Sequence, residues 1–122
     1  MAGALILIVE DNDKNLKLAR DLLQHDGFRT LEAETAAAAI ALAEQHVPDL
    51  ILMDIQLPGL DGYEATRRIK TNPTLRHIPI IVVTSYALSG DDIKAFEAGC
   101  NAYISKPFSP RALLAKVREY LP

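Results

Sequence analysis

The chain has 122 residues, 49% apolar and 24% charged, with a formal net charge of −3; this is the size and balance of one globular domain with one core. A negative charge with no basic cluster larger than Arg67-Arg68 argues against nucleic-acid binding by bulk electrostatics. Cys100 is the single cysteine, which excludes an internal disulfide, and no apolar stretch approaches the ~20 residues of a membrane span.

The first predicted element is a strand over 5–9, Leu5-Ile6-Leu7-Ile8-Val9, running into Glu10-Asp11. It lacks a basic leader and ends in acid, unlike a signal peptide, so a cytoplasmic protein is expected. A helix follows from Asn12 or Asp13, either a good N-cap. Its predicted apolar stripe is Leu18, Ala19, Leu22 and Leu23, and Gly27 ends it. Phe28 to Glu32 alternates as an edge strand does. The second helix starts at Thr35 and runs through the Ala36–Ala39 block, a matter of helix propensity, to about His46, where Pro48 closes it.

Leu50-Ile51-Leu52-Met53-Asp54 reads as a central strand buried on both faces. A third helix is expected from near Leu60 to about Lys70, its Arg67-Arg68-Ile69-Lys70 end solvated and suited to the helix dipole. A fourth strand spans 80–84, and a fourth helix runs roughly from Ser89 to Ala98 with Gly99 as cap. A short strand over 102–104 leads to Ser105-Lys106-Pro107, and a last helix spans Pro110 to Tyr120, with proline in the first turn. Strand and helix alternate throughout, which implies an α/β fold with right-handed crossovers and a parallel sheet covered on both sides. His25, His46 and His77 are scattered without metal-ligand spacing, and Cys100 reads as a small packing residue.

Polar residues at the strand ends carry the chemistry. Glu10, Asp11, Asp54, Thr84 and Lys106 converge on the carboxyl edge of one sheet, where open α/β folds bind ligands. Like charges about 5 Å apart cost roughly 3 kcal/mol at an effective dielectric of ~20, so such a cluster calls for a cation. The candidate ligands are oxygens, which points to a hard ion such as Mg²⁺. A metal, an ammonium and a hydroxyl around one carboxylate are the parts of a phosphoryl-transfer site. The carboxylate itself can be the nucleophile and form an acyl phosphate.

The constellation Glu10-Asp11, Asp54, Thr84 and Lys106-Pro107 closely resembles the receiver domain of two-component response regulators. The resemblance runs from Ile6 to about Leu121. The stretches 8–12, 48–58 and 99–107 look most like single-domain regulators of the DivK type. It implies a flavodoxin-like five-stranded parallel sheet, doubly wound in the order 2-1-3-4-5, with five helices. It further implies that Asp54 accepts a phosphoryl group from a phosphohistidine on a histidine kinase or histidine phosphotransfer protein. Asp11, Asp54 and the backbone carbonyl of Gln56 would bind Mg²⁺, with Glu10 acting through water. Thr84 would bond the transferred phosphoryl group, Tyr103 would turn inward with it, and Lys106 would pair with it across a cis Lys106-Pro107 bond. Gln56 and Tyr86 stand where the family tunes phosphoryl lifetime. Leu16 and Phe108 are expected as an exposed apolar pair that docks the donor. The expected output face is the fourth helix, fifth strand and fifth helix, with Lys94, Tyr103, Arg111 and Arg118.

So read, residues 1–122 form one receiver domain without an output domain. It acts through a downstream protein target, with neither nucleic acid nor membrane, as a monomer or weak dimer. It is a switch and not an enzyme, assisting its own phosphorylation and dephosphorylation. Two other classes compete. A haloacid-dehalogenase-like phosphatase also uses a strand-end Asp with Mg²⁺, but it looks for a second acid two residues on, where this chain has Gln56. A phosphorylation-independent interaction module would be expected to lose the acceptor, metal or lysine positions, and none is lost. Tyr103 has the plainest rival reading, as simple packing on a short strand.

Overall fold

The computed structural model describes residues 3–55, 62–84 and 91–121; of residues 91 and 92 it describes the backbone. The strands are β1 (Leu5–Val9), β2 (Arg29–Ala33), β3 (Leu50–Asp54), β4 (Ile80–Thr84) and β5 (Ala102–Ser105). All pair in parallel in the order β2-β1-β3-β4-β5, as the resemblance implied. The helices among the described residues are α1 (Asp13–His25), α2 (Ala36–His46), α3 (Gly62–Thr71), α4 (Asp91–Ala98) and α5 (Pro110–Tyr120). The expected onsets near Leu60 and Ser89 lie outside the described residues. None of the described helices is long and apolar enough to cross a membrane.

Strand alternation sorts the core into two layers. Leu7, Val9, Ile51, Met53, Ile80 and Val82 face α2, α3 and α4. Ile6, Ile8, Leu50, Leu52, Ile81 and Ile104 face α1 and α5. All of β3 and β4 is buried, which explains their unbroken apolar runs. β2 is one edge strand, half exposed, and begins at Arg29; Phe28 before it is buried in the α1–α5 layer.

Side-chain caps punctuate the helices. The Asn12 side chain accepts from the N–H groups of Lys14 and Asn15, Thr35 caps Ala38, and Ser109 caps Ala112. Gly27 (φ 94°) and Gly99 (φ 107°) follow α1 and α4 in left-handed backbone that disfavours a side chain.

The predicted stripe of α1 is corrected. Leu16, Ala19 and Leu23 are its buried residues, while Leu18 is 46% exposed. At about 100° per residue, positions 16, 19 and 23 fall within one narrow arc and Leu18 sits well outside it. Both sets satisfy a helical period, and the seating of α1 on the sheet chooses between them.

Candidate functional site

Parity and register build the site. Ile8 pairs with Leu52 and Val9 with Met53, so Glu10 emerges from β1 beside Asp54 at the end of β3. Both acids continue the rows that face α1 and α5, and both are buried, at 6% and 4% exposure. Asp11, one residue on, is exposed. The three carboxylates each place an oxygen within 4.8 Å of the others.

Lys106 enters from the loop after β5. Its Nζ lies 2.9 Å from Glu10 Oε1 and 3.3 Å from Asp54 Oδ2. The Lys106 N–H donates to the Thr84 carbonyl at 2.7 Å, which ties that loop to the end of β4. The Lys106-Pro107 bond is cis, as expected. Thr84 is buried at the edge, one residue beyond Val83, the register partner of Asp54. Asn12 N–H donates to the second Glu10 oxygen at 3.3 Å.

Burial is the main reason the Glu10 carboxyl titrates above its ordinary range, and a hydrogen bond with Asp54 adds to it against the pull of Lys106. For Lys106, burial works to lower the pKa, but its bonds and charge attraction to Glu10 and Asp54 win and raise it. One ammonium thus pairs with two acids of a cluster of three. This all-oxygen set with excess negative charge fits a hard divalent cation held by Asp11 and Asp54, with Glu10 committed to Lys106. The Gln56 carbonyl, expected as a further ligand, and Tyr86 lie outside the described residues.

Other expected positions are less uniform. Tyr103 is half-buried on the α2–α4 side, its ring edge-on to Phe96 at 5.9 Å and 82°. Leu16 is buried and does not form an exposed pair with Phe108. Leu18 stands in its place, lining an open groove with Asn15, Lys106, Pro107 and the half-buried Phe108. On the α4 face Lys94 and Arg111 are exposed. The sequence reading missed Ile93 and Phe96 there, apolar side chains 61% and 49% exposed; a polar-face check of α4 would have found them. Arg118 does not serve that face: it bonds Asp26 after α1 at 2.7 Å and lies over the Phe28 ring at 4.7 Å. Its position late in α5 turns it toward α1.

Comparisons agree with this geometry. The family model described as "Response regulator receiver domain" matches residues 6–118. The chain is 47% identical over 116 residues to the polar-differentiation response regulator DivK of Brucella ovis, covering 95% of this chain and 94% of that protein. A response regulator from Chloroflexus aurantiacus superposes with a TM-score of 0.94 at 31% identity, covering 98% of both chains. The receiver domain of a sensor histidine kinase from Pseudomonas aeruginosa gives 0.92 at 39% identity with the same coverage, and has magnesium coordinated in its active-site cleft. The two-layered sheet with its acidic carboxyl edge thus belongs to the response regulator receiver domain family of two-component signalling.

Proposed function

We propose that the protein is a phosphoacceptor switch in a phosphorelay, modified on Asp54. The carrying observation is a buried carboxylate at the end of the central strand, within reach of two more carboxylates and 3.3 Å from an ammonium. A carboxylate oxygen of Asp54 attacks phosphorus. The P–N bond of a phosphohistidine breaks, and the imidazole leaves with the electron pair. Lys106 neutralises charge on the phosphoryl oxygens, and the Thr84 hydroxyl donates to one of them after transfer. A divalent cation at Asp11 and Asp54 would offset the charge of the acids and of the incoming group. The magnesium of the Pseudomonas neighbour supports Mg²⁺ in that place.

The donor would be a histidine kinase or phosphotransfer protein, docking at the groove of Leu18 and Phe108. The downstream target would be a protein. The setting that goes with this reading is the cytoplasm, with the chain as a monomer or weak dimer and neither nucleic acid nor membrane as partner. Intact mass after treatment with acetyl phosphate and Mg²⁺ tests this reading: one added phosphoryl group supports it. Fast release of inorganic phosphate with no accumulated label would make the chain a phosphatase, and neither label nor released phosphate would make it a phosphorylation-independent module.

Titration with Mg²⁺ should raise the melting temperature. A ligand at 10 to 100 times its Kd adds about 1.4–2.7 kcal/mol of stability, roughly 5–10 °C for a domain this size. Asp11→Ala should lose most of that rise. An unmutated protein whose melting is indifferent to Mg²⁺ would rule out the metal site.

The switch would run through Thr84 and Tyr103. Charge-assisted bonds to an anion contribute roughly 1.5–3 kcal/mol each. Two of them, from Thr84 and Lys106, suffice to turn a minor state of about 1% into the majority. Beryllofluoride, a phosphoryl mimic, should therefore shift amide resonances over α4, β5 and α5, and Thr84→Ala should suppress those shifts. Equal shifts in the two proteins would break the proposed coupling.

A further inference from the structure

Gly62, the first residue of α3, is explained by space and not by backbone conformation. Its backbone is helical, where alanine is the favoured residue. A Cβ built on it would lie 2.7 Å from Ile55 Cα and 3.1 Å from the Asp54 carbonyl carbon, and closer still to the Asp54 carbonyl oxygen. These are backbone atoms, with no rotamer through which to give way.

The same few residues are bonded from both sides. Ile55, directly after Asp54, donates its N–H to the Val83 carbonyl at 3.3 Å and accepts the Gly62 N–H at 3.1 Å. The Gly62 carbonyl in turn accepts the hydroxyl of the fully buried Thr66 at 2.7 Å. Val83 precedes Thr84, whose carbonyl holds the Lys106 N–H. A run of short contacts thus joins the first turn of α3, the peptide after Asp54, the end of β4 and the Lys106 loop.

We propose that Gly62 is a positioning residue: lacking a Cβ, it seats α3 against the Asp54–Ile55 peptide and so holds the Asp54 carboxylate in place beside Glu10 and Lys106. The inference rests on the phosphoacceptor reading above for its consequence, though not for its geometry. A methyl group at this position forces a displacement on the order of 1 Å at the strand end, and an error of that size at a reacting group costs up to about a hundredfold in rate.

The test compares Gly62→Ala with Leu75→Ala, a cavity variant in the turn between α3 and β4 whose side chain is fully buried. Two readouts are taken: the rate of acetyl phosphate labelling at saturating Mg²⁺, and amide exchange of Ile55 relative to Leu52 in the metal-free protein. Gly62→Ala should slow labelling at least tenfold and speed Ile55 exchange at least tenfold relative to Leu52. Leu75→Ala, which destabilises the fold as a whole, should leave the labelling rate of folded protein within twofold and move both amides together. Labelling of Gly62→Ala within twofold of the unmutated protein, or Ile55 exchange in step with Leu52, would overturn the proposal. Should Gly62→Ala not fold, Thr66→Val carries the same comparison, because it removes the anchor of the Gly62 carbonyl and leaves the glycine. An unmutated protein that takes no label at all defeats the phosphoacceptor reading, and the exchange comparison then decides the positioning role alone.

Discussion

Asp54→Asn will take up no phosphoryl group from acetyl phosphate, yet will fold at least as stably as the unmutated protein in EDTA. The first half is chemistry: an amide has no anionic oxygen to attack phosphorus. The second half is a balance of charges. Asp54 attracts Lys106 across 3.3 Å, worth about 5 kcal/mol at an effective dielectric of ~20. It also repels Glu10, whose oxygen lies within 4.8 Å, by at least roughly 3.5 kcal/mol on the same scale when both are ionised. Burial of the carboxylate at 4% exposure adds a desolvation penalty of several kcal/mol. Asparagine has nearly the same shape and removes the repulsion and the penalty together, which outweighs the lost attraction. Glu10 keeps its own pairing with Lys106 at 2.9 Å. Intact mass and urea unfolding in EDTA check the two halves. Undiminished labelling would move the acceptor elsewhere, and a loss of more than about 2 kcal/mol would mean that the Lys106 attraction dominates the site.

Much of this site was legible before the structure, for a physical reason. A strand buried on both faces tolerates a carboxylate only at its end, so Glu10, Asp54 and Thr84 announce the carboxyl edge by breaking their apolar runs. What the pattern could not supply is rotation and close approach. The register of α1 is a choice between stripes that both satisfy a helical period, and it placed Leu16 outside and Leu18 inside, the reverse of what is found. Arg118 looked like part of an output face, because nothing local to α5 signals that Asp26, 92 positions away, would take it. Gly62 gave no signal either. A helix-start glycine is unremarked in sequence, and its reason lies in a strand whose backbone comes near only in three dimensions. Tyr103 stands between these cases: its place beside α4 followed from the family resemblance, but its edge-on partner Phe96 did not.

Replacing Lys106 with methionine should have the opposite effect to the Asp54 change, and its size should depend on pH. Lys106 is the counter-charge for two buried acids. Removing one partner of a buried pair costs about 3–5 kcal/mol when the other stays charged. Here the remaining acids have an escape, because Glu10 already titrates above its ordinary range through burial and its bond with Asp54. For an acid raised in the folded state, the fold binds the extra proton. Stability therefore falls as pH rises from the unfolded pKa through the folded one, and is recovered on acidification. Without Lys106 the folded pKa of Glu10 moves further up, which widens that window. For Lys106 itself the folded pKa is raised, so its contribution is complete throughout the neutral range and is lost only as pH rises through that folded pKa. The deficit of Lys106→Met against the unmutated protein in EDTA should then be about 3 kcal/mol at pH 8 and under about 1 kcal/mol at pH 5. Urea unfolding at the two pH values measures it. A deficit equal at both would mean that the lysine stabilises by packing its methylene stem, and that the charge of the site is not what it holds in check.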